Sequence, residues 1–174
     1  MPKPTAIQLP SSFQSGMRTR SGSWEKFEDV TIGKLNGTDV LCFTATSEDA
    51  VYSVFLNSAS TAEVKVFADR STMNISTGAP VGAPFNNPDN MAIDENGNIY
   101  VVEDQEPDNS DIWQAVDVDG DGVAEKMGRW LTPGVEGAEP TGLIFDPNTK
   151  RAILCVQHPD SGNDALWQIP LGTR

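Results

Sequence analysis

The sequence predicts an all-β chain, a β-propeller fragment of about three four-stranded blades, or half of a six-bladed ring. Three observations carry this. One pattern occurs three times, an aromatic recurs at a fixed place within it, and helical periodicity is almost absent. The copies are "EDVTIGKLNGTDVLCFTATSEDAVYSVFL" from Glu28, "DNMAIDENGNIYVVEDQEPDNSDIWQAV" from Asp89 and "TGLIFDPNTKRAILCVQHPDSGNDALWQIPL" from Thr141. Each reads as a short apolar strand, a polar turn, a second apolar strand, an acidic or polar loop and a third strand. Repeats at such a period mark stacked or radial β units.

The third strand of each copy places an aromatic before a polar and an aliphatic residue. These are Tyr52-Ser53-Val54, Trp113-Gln114-Ala115 and Trp167-Gln168-Ile169, their aromatics 61 and then 54 residues apart. A fourth strand follows the first copy at "AEVKVFA", Ala62 to Ala68, which alternates as a half-buried strand does. "KMGRWLTP", Lys126 to Pro133, holds the same place after the second copy. The third copy stops before a fourth strand, and the strand candidate "TAIQLP" near the start could supply it only by closing a ring that three blades cannot form. A β-sandwich would also have many short strands, but it does not call for three look-alike units. The expected division is an irregular segment over 1–23 and a partial propeller over 24–174, with blades near 24–80, 81–133 and 134–174. Closed propellers have about four to eight blades, so three leave two open flanks. Missing amino-terminal blades, or a second copy of the half, would cover them.

Twenty-five Asp and Glu against twelve Lys and Arg give a formal net charge of -13. That balance disfavours nucleic acid and anionic membrane as partners and suits divalent cations. No apolar run approaches the ~20 residues that span a bilayer. The opening "MPKPTAIQLPSSFQSG" lacks a charged stretch followed by an apolar one, so no signal peptide is expected within it. Cys42 and Cys155 sit in apolar runs and read as buried thiols.

In a propeller the leading end of each blade's first strand opens on one face near the axis. Those positions hold Glu28 and Asp29, then Asp89 and Asn90, then Glu139 and Thr141. The loops after the second strands return to the same rim with Glu48 and Asp49, Glu103 and Asp104, and Gln157 and His158. Asp and Asn also favour strand ends for backbone reasons. Crowded carboxylates, however, are costly unless cations compensate them, and hard ions such as calcium take oxygen ligands. The rim positions as a group therefore read as a candidate metal site. A second acidic element, "DVDGDGVAE", offers Asp117, Asp119 and Asp121 before Gly122, the first half of an EF-hand loop. Its twelfth position falls on Gly128, which excludes a complete EF-hand but leaves a calcium-braced turn or an empty Asp/Gly turn. His158, the single histidine, is a candidate catalytic residue by its place on the rim. Nucleophilic-serine and phosphate-loop motifs are absent.

"NNPDNMAIDENGNIYVVED", "DVDGDGVAEKMGRW" and "GAEPTGLIFDPNTKRAILCVQHP" together resemble the PhoX-type alkaline phosphatases, an exported bacterial family. The resemblance runs roughly from Trp24 to Leu171. It implies a six-bladed propeller, a site of iron and calcium ions, hydrolysis of phosphate monoesters, and a periplasmic or secreted location with any signal outside these residues. It also implies that "KFEDV" stands at the family's Arg-Pro-Glu segment, with Glu28 at a metal-binding Glu and Lys26 at a substrate-contacting Arg. Lys is a point charge without the bidentate fork of Arg. Glu139 of "GAEPTG" matches an acidic site position, and Asp89, Asn90 and Glu103 fall in a matching segment, so the predicted metal set that the resemblance implies is Glu28, Asp89, Asn90, Glu103 and Glu139. The family's cysteine ligand and several carboxylates belong to earlier blades, so the site within this chain is expected to be incomplete and inactive alone. Two other readings stay open: a calcium-dependent lactonase or esterase-type propeller, and a non-catalytic binding propeller.

Overall fold

A computed structural model describes residues 26–59, 61–104 and 110–171. Residues 1–23 and the strand candidate within them lie outside that range. The described chain is all-β: β1 (Phe27–Leu35), β2 (Thr38–Ala45), β3 (Ala50–Leu56), β4 (Ala62–Asp69), β5 (Met73–Asn74), β6 (Pro88–Ile93), β7 (Ile99–Glu103), β8 (Ile112–Val116), β9 (Lys126–Leu131), β10 (Glu139–Asp146), β11 (Arg151–Gln157) and β12 (Ala165–Pro170). A single 3-10 turn, Thr46–Glu48, interrupts them. The strands form three sheets in the orders β1-β2-β3-β4, β5-β9-β8-β7-β6 and β10-β11-β12, and none closes on itself. The fourth strands read from "AEVKVFA" and "KMGRWLTP" are β4 and β9.

Within each sheet the chain runs up and down through hairpins. Asn36 and Gly37, with φ of 47 and 81, form the two-residue turn between β1 and β2 that strand twist favours. Each first strand carries an irregularity in the half nearest its start, between Phe27 and Val30, Pro88 and Asn90, and Thr141 and Leu143. A bulge re-aims the side chains around it. At those same ends the register brings the start of the first strand to the end of the second: Phe27 opposite Ala45, Pro88 opposite Glu103, Glu139 opposite Gln157.

Two apolar layers join the sheets. In the first, Leu35, Val40, Cys42, Val51 and Phe67 of the β1–β4 sheet meet Met91, Ile99, Val101, Trp113 and Met127 of the five-stranded sheet. In the second, Ala92, Tyr100, Val102 and Ile112 on the opposite face of that sheet meet Leu143, Leu154, Val156 and Trp167. The middle sheet is thus covered on both faces, which explains the unbroken apolar run "IYVV" in β7. Trp113 anchors the first layer at 1% exposure, edge-on to Phe85 with ring centres 5.8 Å apart. Burial of such a ring contributes roughly 1.5–3 kcal/mol. First strands lie side by side in the series β1, β6, β10, so their bulged ends gather at one rim.

The outer sheets each keep one face outside these layers. On β1–β4, the paired rows Val30-Phe43-Tyr52-Val66 and Ile32-Leu41-Val54-Val64 share the face turned from the middle sheet. Ile32 there is 75% exposed. On the third sheet Ile144 and Leu166 are exposed on the corresponding outer side. The thiols follow the same rule. Cys42 is buried in the first layer, whereas Cys155, at the matching place in β11, is exposed. The expectation of two buried thiols is therefore corrected: Cys155 faces outward from the last described sheet.

Candidate metal centre

The rim is wired from inside before any carboxylate turns outward. The segment entering β6 is held by main-chain and side-chain bonds from its neighbours. Thr46 Oγ1 donates to Pro88 O at 2.9 Å, and Thr44 Oγ1 to Asp89 O at 2.6 Å. Asp29 accepts from the N–H of Met91 at 2.8 Å and from that of Val30 at 2.7 Å. Asp49 accepts from Asn87 N–H at 3.0 Å and pairs with Arg70 at 3.0 Å. On the other side, Asn90 Oδ1 accepts from Thr141 Oγ1 at 2.6 Å and Gly142 N–H at 3.3 Å, tying β6 to β10.

Onto this frame the structure brings Asp89, Asp104 and Glu139, each half-buried, with carboxylate oxygens within 4.8 Å of one another. That span matches the width of a calcium shell, twice a ligand distance of about 2.4 Å. Burial and the neighbouring carboxylates Asp104, Glu28, Glu139 and Asp29 push Asp89 up to about 6. A cation would relieve that crowding. Lys26 stands nearby, 3.9 Å from Glu28 and 3.9 Å from Asp104, and these contacts are too long and exposed to bind strongly. Glu139 also accepts from Gln157 Nε2 at 2.8 Å, which orients it.

The predicted residues divide. Asp89 and Glu139 lie in the cluster, and Glu28 stands close enough to raise Asp89. Asn90 serves the β6–β10 contact. Glu103 has no exposure; its carboxylate accepts from Asn86 N–H, Asp111 N–H and Trp113 Nε1–H at 2.9, 2.9 and 2.8 Å. Burial outweighs these donors and pushes Glu103 up to about 7. His158 is exposed one residue past β11, at φ 57, and its main-chain N–H donates to Asp164. Asp104 is the cluster member that the predicted metal set omitted. Strand alternation was the available signal: with Glu103 turned into the core, the next side chain leaves it.

The loop after β8 lies at the opposite end of its sheet. Asp117 there accepts from the N–H groups of Gly120, Asp121 and Gly122 at 2.7, 3.2 and 2.8 Å. Gly122 has φ 91, and a Cβ would fall 2.4 Å from Phe55, so the turn requires glycine. Asp117, Asp119 and Glu125 bring carboxylate oxygens within 4.8 Å. Asp121, predicted for this group, instead faces Lys65 at 3.9 Å.

For calcium, the rim offers the right chemistry: several half-buried oxygens and a carboxylate resisting ionisation. For iron, the described rim offers carboxylates and no thiolate. Cys42 lies in the core, its thiol pushed up to about 12 chiefly by burial, and Cys155 lies mid-strand in β11.

A family model described as Alkaline phosphatase PhoX matches residues 44–160. The chain belongs to the PhoX alkaline phosphatase family. The matched span includes Asp89, Asp104, Glu139 and the loop after β8, while Lys26 and Glu28 precede it. Membership supports a phosphatase-type function. Comparisons with curated proteins and with solved structures return no match.

Proposed function

We propose that this chain supplies the carboxy-terminal half of a metal-dependent phosphatase that hydrolyses phosphate monoesters, its rim being one side of the active site. The observation carrying this is the Asp89–Asp104–Glu139 cluster, gathered from two neighbouring sheets beside Lys26 in a chain of this family. In this reading the three sheets are successive blades of a propeller. The serial neighbourhood of β1, β6 and β10 supports it, as does the exposed apolar face at each end. Further blades, or a second copy of the chain, would cover those faces. Family membership also favours an exported protein; among the described residues no helix is long and apolar enough to cross a membrane.

Calcium is the ion that Asp89, Asp104, Glu139 and Glu28 would hold, with iron expected from ligands that further blades contribute. Bound cations would offset phosphoryl charge and polarise its oxygens. The chain's own residues orient and tune. Thr46 and Thr44 fix the main-chain carbonyls on either side of Asp89, and Gln157 aims Glu139. Lys26 places a positive charge where an anionic ester approaches, as a point charge without the two-point grip of Arg. The half-buried setting limits water around the carboxylates and strengthens their hold on a cation.

Calorimetric titration of the full chain with calcium, followed by hydrolysis of p-nitrophenyl phosphate with and without calcium and iron, tests the proposal. Uptake of calcium that is lost in Asp89→Asn and Glu139→Gln supports it. Failure to bind at millimolar calcium would sink it.

A further inference from the structure

The rim contains a fully buried carboxylate, and its hydrogen-bond partners explain its place. Glu103 Oε1 accepts from Asn86 N–H and Trp113 Nε1–H, and Oε2 from Asp111 N–H. We propose that Glu103 is a positioning residue for the metal centre. From the core, it fixes the two backbone segments that carry Asp89 and Asp104. This rests on the reading of the rim as a cation site.

Three chain segments meet on this one side chain. Asn86 lies two residues before Pro88 opens β6, and Asn87 between them adopts φ 44. That left-handed step costs energy for a non-glycine residue, although Asn bears it best. Asp111 immediately precedes β8, and its carbonyl accepts from Glu103 N–H at 3.1 Å. Asp104 follows Glu103 directly. Its own N–H donates to Asn87 O at 2.8 Å, and its carbonyl accepts from Ser110 Oγ at 2.9 Å. The entry to β6, the exit from β7 and the entry to β8 therefore converge on the Glu103 carboxylate. Asp89 and Asp104 reach the cluster from the first two.

The donors also explain why a carboxylate is required. All three are N–H groups, and among the described residues no Lys or Arg forms an ion pair with Glu103. Each donor needs an acceptor, and buried donors left without one are costly. Glutamine can accept through one oxygen only. Its amide would face either Asp111 N–H or the Asn86 and Trp113 donors, so one side of the bracket opens whichever way it turns. An apolar residue would leave all three unsatisfied.

The experiment compares calcium titration and amide hydrogen exchange in the wild-type chain, Glu103→Gln, Trp113→Phe and Leu154→Val. Trp113→Phe keeps a ring against Phe85 and removes one donor, so it decides the matter if Glu103→Gln does not fold. Leu154→Val loosens the second apolar layer as a control for general destabilisation. We expect Glu103→Gln to bind calcium about tenfold more weakly or worse, in the range usual for outer supports of a metal site. Trp113→Phe should show a smaller loss, and Leu154→Val none. Exchange should quicken at residues 86–91 and 104 and stay unchanged in β10–β12. Wild-type affinity in both bracket variants, or an equal loss in Leu154→Val, overturns the proposal. Should the wild-type chain take up no calcium, the cation reading of the rim falls. Exchange at 86–91 and 104 then decides the positioning role: unchanged rates refute it and faster rates uphold it.

Discussion

Replacing Asp89 by Asn isolates the electrostatic cost of the rim, because the charge disappears while the shape is kept. The hydrogen bond from Thr44 goes to the Asp89 main-chain carbonyl and survives the change. Burial and neighbouring carboxylates raise this carboxyl from 3.8 to about 6. At full strength that difference corresponds to about 3 kcal/mol of native-state penalty at pH 8. Asp89 is only half-buried and water screens it, so about 1 kcal/mol is the expected yield. For a chain of this size, Asp89→Asn should raise the melting temperature in EDTA by about 2–4 °C at pH 8. At pH 4, where the wild-type carboxyl is largely protonated, the gain should vanish. Calcium should reverse the order, stabilising the wild-type chain and leaving the variant almost unmoved, since a ligand stabilises only the form it binds. Circular dichroism melts at both pH values, with EDTA and then with calcium, provide the measurement. A variant that melts at or below the wild-type temperature in EDTA, yet keeps the calcium response, would refute the reasoning.

The same shifts set a pH trend for the wild-type chain. Asp89 and Glu103 have raised folded-state values, about 6 and about 7. Their contribution is fully present below the unfolded values near 4 and is lost as pH rises through 6 and 7. Melting temperature in EDTA should fall between pH 4 and pH 8, and calcium should flatten the curve; a rise over that interval contradicts the assignment. In the loop after β8, Asp117→Ala removes the acceptor of three N–H groups. It should cost about 1–3 kcal/mol, read in urea denaturation, and loss of less than half of that would indicate that water replaces the carboxylate. On the open face of the first sheet, Ile32→Lys with Val66→Glu should suppress concentration-dependent association in sedimentation velocity at little cost in stability, as both side chains are exposed. Unchanged sedimentation would mean that this face is not where copies meet.

Much of the fold was legible because its signals are local. Alternation over Ala62 to Ala68, the Asn36-Gly37 turn and the recurring aromatics each identify a strand or hairpin without reference to distant chain. The aromatics Trp113 and Trp167 do face a neighbouring sheet, as their shared position suggests, and Tyr52 stands at the equivalent place on the face left open. What alternation could not reveal is which layer covers which face. Cys42 and Cys155 lie in near-identical local patterns, and only the presence of a following sheet buries the first and leaves the second exposed.

The site was less legible because its oxygen-bearing side chains come in adjacent pairs whose members have opposite duties. Successive side chains on a strand point to opposite sides, so one of each pair turns inward to main-chain donors and the other reaches the rim. Asp29 grips the N–H groups of Val30 and Met91 while Glu28 approaches Lys26. Glu103 grips Asn86 and Asp111 while Asp104 joins the cluster. Asn90 binds Thr141 and Gly142 while Asp89 joins the same cluster. Composition cannot separate the partners, since both are short oxygen-bearing side chains favoured at strand ends. The register separates them, and bulges at the first-strand starts decide it. The doublet also has a physical logic. Like charges gathered for a cation repel until it arrives, so the backbone beneath them must be held by bonds that do not depend on the ion. The inward-facing member of each pair supplies those bonds one residue from the carboxylate that needs them.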